Sequence, residues 1–290
     1  MSLTFDLEPR AVRVALPARG GEMAGLAFGA EGPPEVVFCH ANGFNARTYR
    51  TILAPLASEL RVLAVDMRGH GASTLPAEPE AHAGWYGFRD DLIALIDTVA
   101  VGPVVLAGHS MGGTTCLLTS EARPDLVRAL ALFDPVIFDA ARAAQDERPD
   151  NPLAQGADRR RAVFPDRAAV VAAYTGRGAF RTWGQGQLED YVAGGFRDLP
   201  DGQVGLACAP AWEAANFRIH RYDPWSAFRA VQAPTRMLRA EIGSTARIDE
   251  GLDIITANPM IRWEMVPGTS HFLPMERPEL VRETVSELAR

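Results

Sequence analysis

The stretch Val104-Val105-Leu106-Ala107-Gly108-His109-Ser110-Met111-Gly112-Gly113 constrains this chain more than any other. An apolar run with the character of a buried strand ends in Gly-x-Ser-x-Gly, and a helix-compatible segment follows from Thr114 to Ala122. Exposing a serine Oγ on so sharp a strand-to-helix turn demands strained backbone angles and close packing, which side chains at positions 108 and 112 would obstruct. The helix behind Ser110 aims its N-terminal N–H groups and positive dipole end at any oxyanion formed there. Read alone, the same pattern also fits an ordinary glycine-rich strand–helix loop.

The order of elements along the chain decides between the two. Residues 11–16 and 23–28 read as an opening hairpin across Arg19-Gly20-Gly21-Glu22. Buried-strand runs recur at 35–39, 61–65, 128–133, 234–239 and 261–266. Helical spacing covers 49–60, 88–99, 247–257 and 278–290. Strands alternating with helices over connections too long for hairpins predict an α/β fold, a mostly parallel sheet covered on both faces. Chemistry in such sheets gathers at the carboxyl ends of the strands, where His40, Asp66, Ser110 and Asp134 all stand. From 136 to 225 the strand pattern gives way to short helical pieces, turns and many aromatics. This predicts a mainly helical insertion over the strand ends, dividing a core of residues 1–135 and 226–290. Phe138 and Trp183 of the insertion, with Phe44 and His109 near the serine, are the expected substrate contacts.

Serine needs a base to take its proton, and histidine is the usual one near neutral pH. His271 follows the last strand directly, in Pro267-Gly268-Thr269-Ser270-His271-Phe272, and can hang over the sheet edge near Ser110. His109 flanks the serine in a tight turn that directs its ring away from Oγ. His40 and His70 sit in loops that suit structural hydrogen bonds, and His82 and His220 read as surface residues.

A net charge of −7 and the absence of a long basic cluster argue against a nucleic-acid partner. Arg159-Arg160-Arg161 is the densest basic run and reads as a solvated face. No apolar run approaches the roughly 18 residues that suggest a membrane span. The N-terminus lacks the pattern of a signal peptide, and Cys39, Cys116 and Cys208 lack metal-ligand spacing. The expected compartment is the cytoplasm, with no metal and no organic cofactor.

Four segments in this order resemble the α/β-hydrolase family along essentially all of the core. His40-Ala41-Asn42-Gly43 is similar to its oxyanion loop, and Asp66 to Ser73 to the loop after the next strand. Gly108 to Gly112 is similar to its nucleophile elbow, and Gly268 to Pro278 to its histidine loop. The resemblance implies Ser110 as nucleophile, His271 as base, the backbone N–H groups of Asn42 and Met111 as oxyanion hole, and 136–225 as a cap. The chain departs from the family at the triad acid. The turn that usually carries it reads Arg239-Ala240-Glu241-Ile242-Gly243-Ser244, with Gly243 where the aspartate would fall. Asp134 occupies the position one strand earlier that some members use, where it could hold the tautomer of His271 that leaves Nε2 free. Glu241 and then Asp249 are the alternatives.

The expected activity is cleavage of a carboxylic ester, or a related acyl bond, of a small and largely apolar molecule through an acyl-enzyme. A thioesterase, lactonase, C–C bond hydrolase or cofactor-free perhydrolase would share the triad. Dehalogenases and epoxide hydrolases need a carboxylate nucleophile, which serine at 110 argues against. A ligand-binding protein on the same scaffold is the non-enzymatic alternative, and covalent labelling of Ser110 by a fluorophosphonate separates it from an enzyme.

Overall fold

The computed structural model describes residues 8–138 and 151–290. Residues 139–150 of the expected insertion therefore lie outside the described residues, as does most of the N-terminal stretch. An eight-stranded sheet forms the centre, in the order β1-β2-β4-β3-β5-β6-β10-β11. Its strands are β1 (Arg10–Leu16), β2 (Gly21–Phe28), β3 (Val36–Cys39), β4 (Val62–Val65), β5 (Val104–His109), β6 (Val127–Phe133), β10 (Thr235–Ile242) and β11 (Ile261–Ser270). β1 and β2 pair antiparallel as a hairpin, β2 meets β4 antiparallel, and every pairing from β4 to β11 is parallel.

Alternation along the inner strands divides the core between the two faces of the sheet. Val37, Cys39, Leu106, Leu130 and Leu132 pack on one side with Leu92, Leu95, Leu117 and Phe228. Phe38, Val105, Ala107 and Phe133 pack on the other with Ile52, Leu53, Val281 and Val285. The first set of partners comes largely from helices α2 (Tyr86–Val99) and α3 (Met111–Ala122), which follow the short α1 (Arg50–Leu53). Because α3 is buried around nearly its whole circumference, the turn at its start has little freedom to shift.

Between β6 and β10 come the helices α4 (Pro152–Asp158), α5 (Arg167–Tyr174), α6 (Gln187–Gly195), α7 (Pro210–Arg218) and α8 (Pro224–Ala230). α9 (Leu252–Ala257), α10 (Leu273–Glu276) and α11 (Pro278–Ala289) complete the chain.

Three local expectations change. The segment 136–225 is not free of strands: β7 (Val163–Phe164), β8 (Phe196–Asp198) and β9 (Val204–Leu206) form a small antiparallel sheet in the order β7-β9-β8. Strands of two or three residues are too short to show a period of two. The helix expected over 49–60 is a single α turn between two 3-10 turns, because Pro55 has no N–H to continue the ladder. The helix expected from 247 starts only at Leu252. Gly251 lies so close to the Trp225 ring that a Cβ there would collide with it, and the chain takes a 3-10 turn at that point.

Candidate active site

Ser110 leaves β5 at φ 56° and ψ −121°, a conformation that L-residues rarely adopt. Its neighbours make the turn possible. A Cβ on Gly108 would stand 2.5 Å from the main chain of Gly112, and one on Gly112 would collide with the carbonyl of Cys39. The Ser110 N–H donates to the Phe133 carbonyl at 3.0 Å, tying the turn to the end of β6.

Asp134 follows β6, again with a positive φ of 43°, and is fully buried. Its Oδ1 accepts the Ala240 N–H at 2.9 Å and the Ser244 hydroxyl at 2.5 Å, and its Oδ2 accepts the Thr245 N–H at 3.0 Å. Burial pushes the carboxyl pKa up. The His271 hydrogen bond and charge, with Ser244 and the Ala240 N–H, outweigh that and hold it below the ordinary carboxylate value.

His271 joins the two. Nδ1 lies 2.6 Å from Asp134 Oδ2, and Nε2 lies 3.0 Å from Ser110 Oγ. A carboxylate can only accept, so Nδ1 carries the proton and Nε2 is the free acceptor facing the serine hydroxyl. The histidine is itself framed by Glu276, whose carboxylate receives both the N–H (2.7 Å) and the hydroxyl (2.6 Å) of the preceding Ser270.

Glu241 and Asp249, the alternative acids, are placed elsewhere. Glu241 accepts the Gly268 N–H at 2.7 Å on the exposed side of the loop, and Asp249 pairs with Arg239 at 2.9 Å. The longer Glu241 side chain is spent bracing the histidine loop from outside.

Asn42 and Met111 both border the cavity beside Ser110, and neither backbone N–H meets an acceptor among the described residues. The Asn42 side chain faces α7 instead. Its Nδ2 donates to the Glu213 carbonyl at 3.0 Å and its Oδ1 accepts from Asn216 at 2.9 Å. Two neutral histidines hold this loop from behind. His40 Nε2 accepts the Met67 N–H at 2.9 Å, and His70 Nε2 accepts the Gly43 N–H at 3.0 Å. Burial, above all, lowers the His70 pKa to about 4 and takes His40 well below its ordinary value.

Above the serine lies a cavity of about 800 Å³, large enough for a small organic molecule. Phe44 and Phe138, two of the expected substrate contacts, line it together with Trp85, Phe180, Phe217 and Phe272. The other two expected contacts do not. Trp183 stands behind Phe44, edge-on at 5.3 Å between ring centres, because it packs into the aromatic cluster of α5 and α6. His109 is fully buried beneath the site, where its Nε2 donates to the His271 carbonyl at 2.7 Å.

The remaining histidines depart from expectation as well. His82 is buried edge-on to Trp212, with ring centres 4.9 Å apart. His220 is buried and borders the cavity between Trp85 and Phe138. Arg160, expected in solvent, turns inward to the cavity; Nη1 donates to Glu213 Oε2 at 2.5 Å and Nη2 to the Tyr191 hydroxyl at 2.6 Å. Burial alone would lower its pKa, but Tyr191 and Glu213 raise it above the ordinary arginine value, so it stays cationic. No periodicity marked Arg160 or His220. Ser244 and Thr245 were not singled out either, and the departure at Gly243 is the one signal that could have pointed to them.

Comparison with known proteins agrees with this architecture. A model of the alpha/beta hydrolase family matches residues 36–284. The 2-(acetamidomethylene)succinate hydrolase of Mesorhizobium japonicum is 26% identical over 264 residues, which cover 87% of each chain. The (E)-2-((N-methylformamido)methylene)succinate hydrolase of Acinetobacter baylyi is 38% identical over 120 residues, covering 41% of this chain and 44% of its own. A crystal structure of E-2-(acetamidomethylene)succinate hydrolase superposes with a TM-score of 0.79 at 24% identity, covering 97% of this chain and 98% of that one. With an eight-stranded sheet of this order and a family match over most of its length, the chain belongs to the alpha/beta hydrolase family.

Proposed function

We propose that this hydrolase cleaves a carboxylic ester, or a related acyl bond, of a small molecule through an acyl-enzyme on Ser110. The observation that carries the reading is the unbroken chain of hydrogen bonds Ser110 Oγ–His271–Asp134, opening onto the cavity. In this scheme His271 Nε2 takes the hydroxyl proton as Oγ attacks the carbonyl, and Asp134 stabilises the imidazolium. The carbonyl oxygen becomes an oxyanion and is received by the N–H groups of Asn42 and Met111, at the positive end of α3. His271 then returns the proton to the leaving group, and water resolves the acyl-enzyme by the same route in reverse. Residues 136–225 serve as the cap over a core of 1–135 and 226–290, and the aromatic lining receives the apolar part of the substrate. The scheme needs no metal or organic cofactor.

A second reading concerns the bond that is cut. The Mesorhizobium relative, matched over 87% of both chains, is named for 2-(acetamidomethylene)succinate, which favours an acetamido-type substrate over a simple ester. Initial rates on p-nitrophenyl esters of increasing acyl length, measured beside Ser110→Ala, test the chemistry. Loss of turnover in the variant supports the serine mechanism. Equal rates in both proteins, with no fluorophosphonate labelling of Ser110, move the protein to the binding class.

A further inference from the structure

Of the run Arg159-Arg160-Arg161, only Arg160 is drawn inside. Arg159 is exposed and bonds the Gln155 carbonyl, and Arg161 is exposed with its guanidinium 4.4 Å from the Phe164 ring centre. Placing a guanidinium beside an apolar cavity is costly, and a buried ion pair seldom repays its own desolvation. The Glu213 carboxylate and the Tyr191 hydroxyl fix the plane of Arg160, and the Tyr174 hydroxyl is a third partner, which leaves two of the five N–H donors of a guanidinium. No nitrogen of Arg160 is buried without a partner among the described residues, and the residue forms part of the cavity wall. Its remaining donors therefore stand at the cavity wall, within reach of a ligand.

Charge around the cavity points the same way. Among the described residues that line it, Arg160, Arg161 and Arg247 face a single carboxylate, Glu213, in a chain whose net charge is −7. Arg247 makes no ion pair among the described residues and stands just past Ser244 and Thr245, which hold Asp134. Among the described residues the cavity lining thus carries a local positive excess on an acidic protein. Such an excess attracts anions, and the fork of an arginine matches a carboxylate in shape.

We propose that the substrate bears a free carboxylate in addition to the bond that is cut, and that Arg160 binds it. The proposal rests on the hydrolase reading above and names the substrate class of that same site. Glu213 and Tyr191 orient the guanidinium, while Arg161 and Arg247 complete the charge near the cavity.

The test uses mono-4-nitrophenyl adipate beside its neutral methyl ester, with spontaneous hydrolysis subtracted. The wild type should favour the carboxylated ester in kcat/KM by about 10- to 100-fold, the range for a hydrogen bond to a charged group. Arg160→Gln should bring that ratio close to one. Arg160→Lys, which keeps the charge but loses the fork, should fall between, and Arg159→Gln should retain the wild-type ratio. Thermal melts of each variant separate misfolding from lost selectivity. Calorimetric binding of adipate to Ser110→Ala, with and without Arg160→Gln, reads the site independently of turnover. Turnover with no preference for the carboxylated ester, unchanged by Arg160→Gln, overturns the proposal while leaving the hydrolase intact. Adipate binding that needs Arg160, in a protein that hydrolyses neither ester and whose Ser110 takes no fluorophosphonate label, supports the carboxylate site and overturns the hydrolase reading instead.

Discussion

Tyr49 donates its hydroxyl to Nδ1 of His109 at 2.7 Å, and this bond links the two loops that meet at Ser110. The Ala41 N–H, next to Asn42, donates to the same Tyr49 oxygen at 3.2 Å. On the far side His109 Nε2 donates to the His271 carbonyl at 2.7 Å. The relay runs entirely through buried groups and fixes how far the loop of Asn42 lies from the loop of His271. Burial, then the neighbouring His271, lowers the His109 pKa to about 3, so the ring stays neutral and its two nitrogens keep opposite roles.

Tyr49→Phe removes the centre of that relay. It strands one buried donor, the Ala41 N–H, and one buried acceptor, His109 Nδ1, at about 1–3 kcal/mol each. A fall of roughly that size in urea-unfolding free energy is expected. It should be accompanied by a drop in kcat of about tenfold or more with little change in KM, since misplacing reacting groups slows chemistry rather than binding. A variant with wild-type kcat would show that the relay does not position the site.

Asp134→Asn should lower kcat by about 10⁴, because an amide at that position favours the wrong tautomer of His271. Glu241→Gln should leave kcat within a few fold, since Glu241 touches only the Gly268 N–H on the exposed side. Steady-state rates of the two variants on one activated ester decide the assignment. A severe defect in Glu241→Gln beside an active Asp134→Asn would transfer the role.

The sequence made the sheet legible because its buried strands are continuous apolar runs ending in turn residues. It also marked Ser110, His271 and Asp134, each of which stands just past a strand. Their hydrogen-bond partners were harder to read. Tyr49 and His109 are sixty positions apart, and nothing in their local patterns announces that the hydroxyl of one meets the ring of the other. Trp183 failed for a related reason. An aromatic in a cap-like segment reads equally as pocket or as core, and only the packing of Phe44, Phe180 and Tyr191 around it assigns it to the core. Arg160 was obscured by its two exposed neighbours.

Ser244→Ala tests how the unusual acid is held. The Ser244 hydroxyl is one of the groups that keep the Asp134 pKa below its ordinary value. Its loss should destabilise the fold by about 1–2 kcal/mol near neutral pH. A depressed carboxyl pKa contributes stability that is present above the ordinary value of 3.8 and disappears as pH falls through the folded-state value. The difference between wild type and variant should therefore be largest above pH 4 and shrink in stronger acid. Unfolding free energies measured from about pH 2 to 7 give this profile, and a constant difference across the range would contradict it.

The histidines set the response of the whole fold to mild acid. Burial is the main cause that lowers His70 and His82 from 6.5 to about 4, and His109 to about 3. Above pH 6.5 these rings are neutral in both the folded and the unfolded chain, so they add no pH dependence. Between pH 6.5 and 4 the unfolded chain binds protons that the folded chain refuses. Stability then falls by up to about 1.4 kcal/mol per pH unit for each ring. Asp66 opposes them. Burial raises its carboxyl from 3.8 to about 6, so the folded chain gains a proton first and is favoured as pH falls across that window. Burial raises the Asp190 carboxyl as well, but His40 adds a fourth ring lowered well below 6.5. Two carboxyls do not offset four rings, and the melting temperature should drop steadily from pH 6.5 to 4. His82→Gln, remote from the hydrogen bonds of Ser110, should flatten the slope by about one ring's share. Melting temperatures that hold constant or rise across that window would mean that the rings already accept protons in the folded state.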